Sequence, residues 1–358
     1  MKKTNFFDEE RLFFDLKNLY EGFGYKQFKM SKFEEYGVYL ENKKFLRSPY
    51  VITFTDLNGK LMALKPDVTL SIVKNTKATK DKNEKFFYKE SVYRPQGATK
   101  EFKEISQVGL EFIGDVDGYG ILEVLSLAGK SLDAIDKNFV LDVSHLGVVL
   151  GLMQEYGIEN TSEILSYISS KNVHDLNKYC EQKGIDNGFA NKVATLLSAK
   201  GCFCEVLAVA KQVATNDMSK QAVEELQIVC DSFDTMGFAD KVRLDFSIIN
   251  DTDYYNGIVF VGYVNDAPSL VLSGGRYDKL AGKFAPVNAL GFAIYLNELS
   301  MYKQMQNDVD ADLLVVYNNN SNFAQVLEYA QSQIEQGKKV LVAKNAPEGK
   351  KFAEIVEL

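Results

Sequence analysis

Cysteine and histidine are scarce in this sequence, and their scarcity limits the metal sites that it can form. The 358 residues include only two histidines, His145 and His174, which we interpret as structural or surface residues. No pair of cysteines has the Cys-x-x-Cys spacing of a zinc site, so no plausible zinc ligand set is present. The four cysteines, predicted to be buried or free thiols in a reducing cytosol, are Cys180, Cys202, Cys204 and Cys230.

Long apolar runs and an excess of positive charge are also lacking. No window reaches the roughly 20 apolar residues that a membrane-spanning helix needs. The first ten residues have no apolar stretch of the kind found in signal peptides, so we expect a cytoplasmic protein without a membrane partner. Lysine and arginine total 41 against 49 aspartates and glutamates, a net charge of -8. This acidic balance argues against bulk nucleic-acid binding, which requires a basic surface.

The sequence contains neither a dinucleotide-binding fingerprint nor a phosphate-loop motif, and it shows no internal repeat. We therefore predict no cofactor and no metal. A chain of 358 residues with 46% hydrophobic residues is an ordinary globular sequence, long enough for two or three domains.

The first part of the chain mixes long helices with strands joined by hairpins. Tyr50–Asp56 and Leu61–Leu64 read as strands, and Asn58-Gly59 between them supplies the positive backbone angles of a tight turn. Asp67 and Thr69 precede a helix predicted at Leu70–Lys74. Either residue could simply be the cap of that helix. Apolar residues at helical spacing predict two helices, one through Leu12, Leu16, Leu19 and Phe23 and the other through Ile121, Leu125, Ala128, Leu132 and Ile135.

The segment from Ser106 to Gly114 alternates like a strand that carries two different faces. One face is apolar and suits a core. The other carries Gln107, Gly109 and Glu111, an arrangement that suits a small ligand with an amino group. The same face would also fit the solvated side of an antiparallel sheet. With its neighbours, this segment predicts an α+β fold in which helices pack on an antiparallel sheet.

The pattern changes twice in the second half. Residues 145–240 are rich in leucine, alanine and glutamate and predict an all-helical insertion. Strands resume at Val242–Ser247, and further strands are expected at 258–264 and 269–272.

Ser273–Asp278 contains two adjacent glycines that favour close approach of a ligand or a plain tight turn. Ala289–Leu299 reads as an apolar helix. Met301–Val309 reads as a polar linker, followed by a strand, helix and strand that form a small parallel α/β segment.

Four motifs occur in an order that resembles the catalytic core of histidyl-tRNA synthetases and their paralogues, which have the class II aminoacyl-tRNA synthetase fold. The resemblance covers roughly Glu9 to Leu299. It implies a synthetase-like core at 1–144 and 241–300, a helical insertion at 145–240 and a truncated C-terminal segment at 301–358. The motifs are Leu64–Thr69, Val92–Arg94 with Gln107–Glu111, Asp253–Tyr255, and Ser273–Asp278 with Gly291–Ile294.

The resemblance implies a histidine pocket. Glu111 and Asp67, helped by Thr69, would hold the α-amino group, since two carboxylates suit a cationic amine. Gln107 would contact the backbone end of the amino acid. The remaining predicted binding residues are Tyr254 and Tyr255 along the imidazole, Gly274 and Gly275 beneath it, and Arg94.

Departures from the synthetase pattern indicate that the pocket does not activate its amino acid. Arg94 is followed by Pro95 and Gln96, where a synthetase has a glutamate that contacts ATP. Asn250 stands in place of the arginine that faces the transferring carboxylate, and Glu298 in place of the arginine of the third motif. The first motif carries a serine, Ser31, in place of proline, although its Glu34 is kept. Adenylate formation needs positive charge around the phosphates, which these replacements remove.

A histidine-binding synthetase paralogue that cannot form the adenylate resembles the regulatory subunit of ATP phosphoribosyltransferase. This resemblance implies a partner, the short catalytic subunit, within a hetero-octamer built around a dimer of this fold, and no tRNA substrate. It also implies a part in histidine feedback on the first step of histidine biosynthesis. Two alternatives are an active but divergent histidyl-tRNA synthetase and a free-standing histidine-sensing or RNA-binding paralogue.

Overall fold

The structure is a computed structural model that describes residues 9–46, 48, 50–96, 101–159, 162–249, 252–265, 267–299 and 309–358. Two compact units divide the chain. The larger is Glu10–Asn297, and the second includes Glu298–Leu358. The sheet and the helical segment 145–240 lie in the larger unit, and the predicted three-part division into domains stays a prediction.

The larger unit contains both helices and strands, and the described part of the smaller unit contains a long helix and three strands. The helices are α1 Glu9–Gly22, α2 Tyr36–Glu41, α3 Thr69–Asn75, α4 Gly118–Ile135, α5 Leu146–Glu155, α6 Ser162–Ser169, α7 Val173–Lys183, α8 Asn187–Ser198, α9 Phe203–Val213, α10 Asp217–Asp231, α11 Phe233–Met236, α12 Asp278–Ala281 and α13 Phe323–Glu335. The strands are β1 Lys26–Gln27, β2 Phe33–Glu35, β3 Thr53–Thr55, β4 Leu61–Leu64, β5 Glu84–Gln96, β6 Glu101–Gly114, β7 Phe139–His145, β8 Val242–Leu244, β9 Ile258–Val264, β10 Leu272–Arg276, β11 Asn288–Tyr295, β12 Ala311–Val316, β13 Val340–Ala343 and β14 Phe352–Glu357.

The centre of the larger unit is an eight-stranded sheet with the order β1-β5-β6-β11-β10-β9-β7-β8. Its inner pairs are antiparallel, and only the edge pairs β1–β5 and β7–β8 are parallel. The predicted α+β class, an antiparallel sheet flanked by helices, is therefore confirmed.

The two amphipathic helices predicted from the sequence, α1 and α4, cover one face of this sheet. Tyr20 of α1 is fully buried, and its ring contacts those of Phe87 and Phe292. Leu132 of α4 packs closely on Gly262 of β9, where a Cβ would lie only 2.7 Å from the Leu132 side chain. Helix α4 begins at Asp117, whose carboxylate accepts the Gly120 N–H at 2.9 Å, as expected of an N-cap residue. The opposite face of the sheet is thereby left for the site.

A separate three-stranded antiparallel sheet, β2-β4-β3, contains the predicted hairpin. Its turn differs in detail from the expectation, because only Gly59 has a positive φ, at 79°. Asn58 needs none, since the Asp56 carboxylate accepts the N–H groups of Asn58 and Lys60 at 2.8 Å and fixes the loop.

Helices α5 to α11 make up the segment predicted to be helical. The expectation of free thiols is wrong for two of its cysteines, because Cys204 of α9 and Cys230 of α10 form a disulfide with a Cα–Cα distance of 5.8 Å. Their 26-residue separation does not reveal that two neighbouring helices bring them together. Cys180 and Cys202 remain free.

Near the end of the larger unit, one alternative is excluded and one prediction is largely wrong. The tight-turn alternative for Ser273–Asp278 is excluded, since β10 runs through Gly274 and Gly275, and neither glycine has a positive φ. The helix predicted for Ala289–Leu299 is absent over most of that segment, because Asn288–Tyr295 forms the central strand β11 and only residues 296–299 are helical. A strand buried on both faces has a continuous apolar sequence, which periodicity alone cannot distinguish from a buried helix.

The smaller unit contains a parallel sheet of the order β13-β12-β14. Helix α13 covers one face through Val326 and Ala330, which are buried. The predicted strand, helix and strand are present, and β14 was not predicted. Most of the predicted linker, residues 301–308, lies outside the described residues. Within the described part of the chain, no helix is long and apolar enough to cross a membrane.

Candidate functional site

A cavity lies on the face of the large sheet that α1 and α4 leave free. It forms where β6 pairs with β11, with Glu111 opposite Gly291 and Gly109 opposite Ala293. Because the side chains of Gly109, Gly291 and Ala293 are absent or small, space remains above the sheet. The cavity is lined by Asp67, Val68, Thr69, Tyr88, Arg94, Gln107, Glu111, Tyr254, Tyr255, Ser273, Tyr277, Gly291, Phe292, Ala293 and Tyr295.

Seven of the nine predicted binding residues line this cavity, and the two glycines do not. Gly274 lies on the opposite face, where a Cβ would meet the Phe260 ring at 2.6 Å. Gly275 lies behind the cavity wall, and a Cβ there would come within 2.8 Å of the Tyr255 ring. The glycines therefore allow close packing of aromatic rings instead of forming the floor. The seven residues brought together are Asp67, Thr69, Arg94, Gln107, Glu111, Tyr254 and Tyr255.

Several lining residues were not found by the sequence analysis. Tyr277 belongs to a motif that was identified, but its side chain was not assigned a role. Gly291, Ala293 and Tyr295 recur at every second position of β11 and so share one face. Their alternation would have shown this face if the segment had been read as a strand.

Glu111 is the centre of the site and is only 2% exposed. One carboxylate oxygen, Oε1, accepts a hydrogen bond from the Thr69 hydroxyl at 2.7 Å, and the other, Oε2, accepts one from the Tyr277 hydroxyl. Burial and the nearby charge of Glu111 raise the pKa of Tyr277 well above its ordinary value. The phenol therefore stays protonated and keeps donating to Glu111. A solvated outer face is excluded for these residues, because Gln107 is also 5% exposed.

Asp67 has two roles that the sequence analysis treated as alternatives. Its Oδ1 accepts the Leu70 N–H at 2.9 Å, which caps the start of α3, and its side chain also lines the cavity. Thr69 does not cap the helix, because its hydroxyl is directed to Glu111. The carboxylate of Asp67, just before α3, and the hydroxyl of Thr69, the first residue of α3, thus lie at the same cavity.

The charges in the cavity are two carboxylates and one guanidinium. Asp67, Glu111 and Arg94 are 8%, 2% and 9% exposed, so water screens them little. An amino acid carries a cationic amine and an anionic carboxylate. Carboxylates pair with the first and a guanidinium pairs with the second. The charge pattern therefore suits a zwitterion better than a phosphate-bearing ligand.

Three tyrosines form one side of the cavity, which we call the tyrosine wall: Tyr254, Tyr255 and Tyr277. The ring centroids of Tyr254 and Tyr255 are 4.8 Å apart in an edge-to-face arrangement, and those of Tyr254 and Tyr277 are 5.7 Å apart. Such a wall offers aromatic faces to a flat ring and hydroxyl groups to its heteroatoms.

The wall leaves little free volume. The cavity measures about 20 Å³, which is room for about one water molecule. A ligand of amino-acid size can therefore enter only if some of the lining side chains move.

Two features bear on catalysis and metals. The residue that replaces the carboxylate-facing arginine, Asn250, lies outside the described residues. Among the residues that the structure describes, no group of three or more histidine, cysteine, aspartate or glutamate side chains could hold a metal ion.

The sequence is similar to known proteins over most of its length. Residues 4–299 match the family model described as Histidyl-tRNA synthetase. Two curated relatives are each named ATP phosphoribosyltransferase regulatory subunit. The one from Clostridium acetobutylicum is 28% identical over 94% of this chain and 86% of its own length. The one from Oceanobacillus iheyensis is 25% identical over 79% of this chain and 71% of its own.

Solved structures share the fold. An ATP phosphoribosyltransferase regulatory subunit/histidyl-tRNA synthetase from Bacillus halodurans superposes with a TM-score of 0.73 at 20% identity, covering 100% of this chain and 97% of the other. Histidyl-tRNA synthetase from Nostoc gives 0.70 at 17% identity, covering 98% and 87%. The ATP phosphoribosyl transferase HisG:HisZ complex from Thermotoga maritima gives 0.63 at 18% identity, covering 81% and 97%.

Proposed function

We propose that this chain, which belongs to the histidyl-tRNA synthetase family, is the non-catalytic regulatory subunit of ATP phosphoribosyltransferase. The relatives that carry this name support the role. One observation about the chain itself carries the proposal: a buried cavity lined by two carboxylates, a guanidinium and three tyrosines is combined with asparagine and glutamate at two positions where the family pattern has arginine.

The loss of charge bears directly on the chemistry. Adenylate formation brings an anionic carboxylate to the α-phosphate of ATP and builds negative charge on the phosphoryl oxygens and the departing pyrophosphate, and arginines stabilise that charge. The chain has Asn250 and Glu298 where the family pattern has arginine. A neutral amide offers less stabilisation and a carboxylate repels the phosphates. We therefore propose that the chain binds its amino acid without activating it.

The ligand that we propose is histidine. Asp67 and Glu111 accept hydrogen bonds from its α-amino group, and Thr69 holds Glu111 in place. Arg94 and Gln107 meet the backbone end of the amino acid. The tyrosine wall packs against the imidazole.

The proposed partner is the short catalytic subunit of ATP phosphoribosyltransferase. In this assembly the chain enables the partner to work and takes part in its inhibition by histidine. We propose a cytoplasmic hetero-octamer built around a dimer of this chain, as the family resemblance implies.

The second candidate function is that of a divergent histidyl-tRNA synthetase. The match to the family model favours it, because that model describes the enzyme. The absence of cationic residues at positions 250 and 298 opposes it.

Calorimetric titration with histidine, histidinol and histamine tests the binding proposal. Histidine is expected to bind. Histidinol and histamine, which lack the carboxylate, are expected to bind more weakly by roughly 1.5–3 kcal/mol, the contribution of a hydrogen bond to a charged group. Equal affinity for all three would contradict the role of Arg94, and no binding of histidine would contradict the proposed ligand.

A further inference from the structure

The tyrosine wall is connected to the helical segment through a group of polar side chains. We call this group the polar bridge and define it as His145, Glu225, Asn256, Arg276 and Asp278. All five residues lie in the larger compact unit. None of them lines the amino-acid cavity.

The polar bridge first links, by hydrogen bonds, the two chain segments that carry the tyrosine wall, residues 254–256 and 276–278. The Asn256 N–H donates to the Arg276 carbonyl at 3.0 Å, and the Asp278 N–H donates to the Asn256 side-chain oxygen at 2.7 Å. The Asn256 amide also donates to Asp278 Oδ2 at 3.2 Å. Asn256 directly follows Tyr255, and Tyr277 lies between Arg276 and Asp278. The tyrosines of both segments therefore share one set of backbone anchors.

The bridge then reaches helix α10. Arg276 donates from Nε to Asp278 at 2.7 Å and from Nη1 to Glu225 of α10 at 3.5 Å. Glu225 also accepts a hydrogen bond from His145 Nε2 at 3.0 Å. His145 Nδ1 accepts the Gly147 N–H at 3.1 Å, so the ring proton lies on Nε2.

Glu225 is ionised at neutral pH. Burial by itself raises the pKa of this carboxyl, but the hydrogen bond from His145 and the charge of Arg276 outweigh burial and hold the pKa below its usual value. A charged, partly buried group of this kind strongly prefers to keep its partners. A shift of Arg276 therefore changes the position of Glu225 and, with it, of helix α10.

The junction is loosely packed. A cavity of about 370 Å³ lies between α5, α10 and the start of α12, and all five residues of the bridge line it. Arg276 and Glu225 therefore border open space into which their side chains can move. Close-packed interiors do not allow this.

We propose that the polar bridge couples occupancy of the amino-acid cavity to helix α10. The closed cavity has room for about one water molecule, so an amino acid must displace part of its lining, and in this proposal that part is the tyrosine wall. The wall is anchored to Asn256 and Asp278, and its displacement moves Arg276 relative to Glu225. This inference rests on the proposed function for the identity of the ligand, histidine.

The coupling has a direction. The bridge holds the wall in its closed position, and closure lowers the apparent affinity for histidine, because only the open state binds. Glu225→Gln weakens the bridge and is therefore expected to tighten histidine binding by about fivefold or more, the usual range of coupling between sites. A merely structural role predicts the opposite, since damage to the fold weakens binding.

Hydrogen–deuterium exchange of the full chain, with and without saturating histidine, tests the coupling. In the wild type, histidine is expected to change exchange in the peptide that covers Asp217–Asp231. Glu224→Gln, a matched change at the exposed neighbouring position, is expected to respond like the wild type. Glu225→Gln is expected to lose the response in α10, and Arg276→Gln, which cuts the same link from the other side, is expected to lose it as well.

The affinities are measured calorimetrically on the same samples. Histidine binding without any response of α10 in the wild type would overturn the coupling and leave the proposed function intact. A full response in both Glu225→Gln and Arg276→Gln, or weaker binding of histidine to Glu225→Gln, would also overturn it. No binding of histidine to the wild type would overturn the proposed ligand together with the coupling.

Discussion

At the scale of single residues, we propose that Glu111 determines what the cavity accepts. It is buried, and both of its oxygens are engaged by hydroxyl groups, from Thr69 and Tyr277. Hydroxyl donors stabilise a carboxylate without neutralising it, so the site keeps a negative charge for an N–H group of the ligand.

Replacing Glu111 tests this assignment. Glu111→Ala is expected to weaken histidine binding by roughly 1.5–3 kcal/mol, the range for hydrogen bonds to charged groups. Isothermal titration calorimetry measures the change. Glu104→Ala is the matched control, because Glu104 lies on the same strand but is exposed, and it is expected to leave the affinity unchanged. Unchanged affinity in Glu111→Ala would remove Glu111 from the site.

A second residue, Asp142 of β7, is a source of pH dependence. Among the described residues, its Oδ1 finds no hydrogen-bond partner. Burial and the charge of Asp245 raise the pKa of Asp142, and together they outweigh the opposing charges of Arg243 and Lys171. The folded state thus binds this proton more tightly than the unfolded state, so ionisation of Asp142 lowers stability as the pH rises through the raised pKa.

The substitution Asp142→Asn removes the loss of stability that ionisation of Asp142 causes, because asparagine does not ionise. The variant is expected to melt at a higher temperature than the wild type at pH 7.5. The difference should shrink as the pH falls toward about 4, the ordinary pKa of an aspartate, below which both states are protonated. Scanning calorimetry at both pH values measures it, with the exposed Asp240→Asn as control. A variant less stable than the wild type at pH 7.5 would contradict the burial argument.

At the scale of secondary structure, the site depends on the pairing of β6 with β11. The two faces of β6 were predictable, because its apolar and polar residues alternate. Strand β11 was not, since its residues from Ala289 to Ile294 are buried on both faces of the sheet and its sequence lacks alternation. The consequence for the site was the omission of Gly291, Ala293 and Tyr295.

Features set by distant parts of the chain were also beyond prediction from sequence. The Cys204–Cys230 disulfide depends on the packing of α9 against α10. The positions of Gly274 and Gly275 depend on which face of β10 each occupies. By contrast, the sequence analysis grouped the motif residues Asp67, Thr69, Gln107 and Glu111 by their resemblance to a family with a known site, and these four residues line one cavity.

The pairing of β6 with β11 can be tested at Gly291. A methyl group there would overlap the Glu111 carboxylate and the Leu110 carbonyl oxygen. Gly291→Ala is expected to destabilise the fold by about 1–3 kcal/mol, as overpacking does, and to abolish histidine binding. Urea denaturation and calorimetry provide the two measurements.

Gly37→Ala is the control for this substitution, since a Cβ at Gly37 meets nothing within 4 Å. It is expected to preserve both stability and binding. Wild-type affinity in Gly291→Ala would mean that Glu111 is not confined by this strand pair.

At the scale of the whole molecule, the chain has the fold of histidyl-tRNA synthetase-like structures, and we propose that it lacks the charges that the synthetase reaction requires. We expect no histidine-dependent exchange of pyrophosphate into ATP. The reason is that Asn250 and Glu298 cannot stabilise the transferring phosphoryl group. A synthetase of the same family serves as the positive control, and robust exchange by this chain would favour the divergent-enzyme alternative.

The most direct test of the regulatory role is an assay with the short catalytic subunit from the same source. Phosphoribosyl-ATP formation is measured with and without this chain while histidine is titrated. We predict that the chain activates the catalytic subunit and that histidine reverses the activation. No activation at any ratio of the two proteins would contradict the regulatory role.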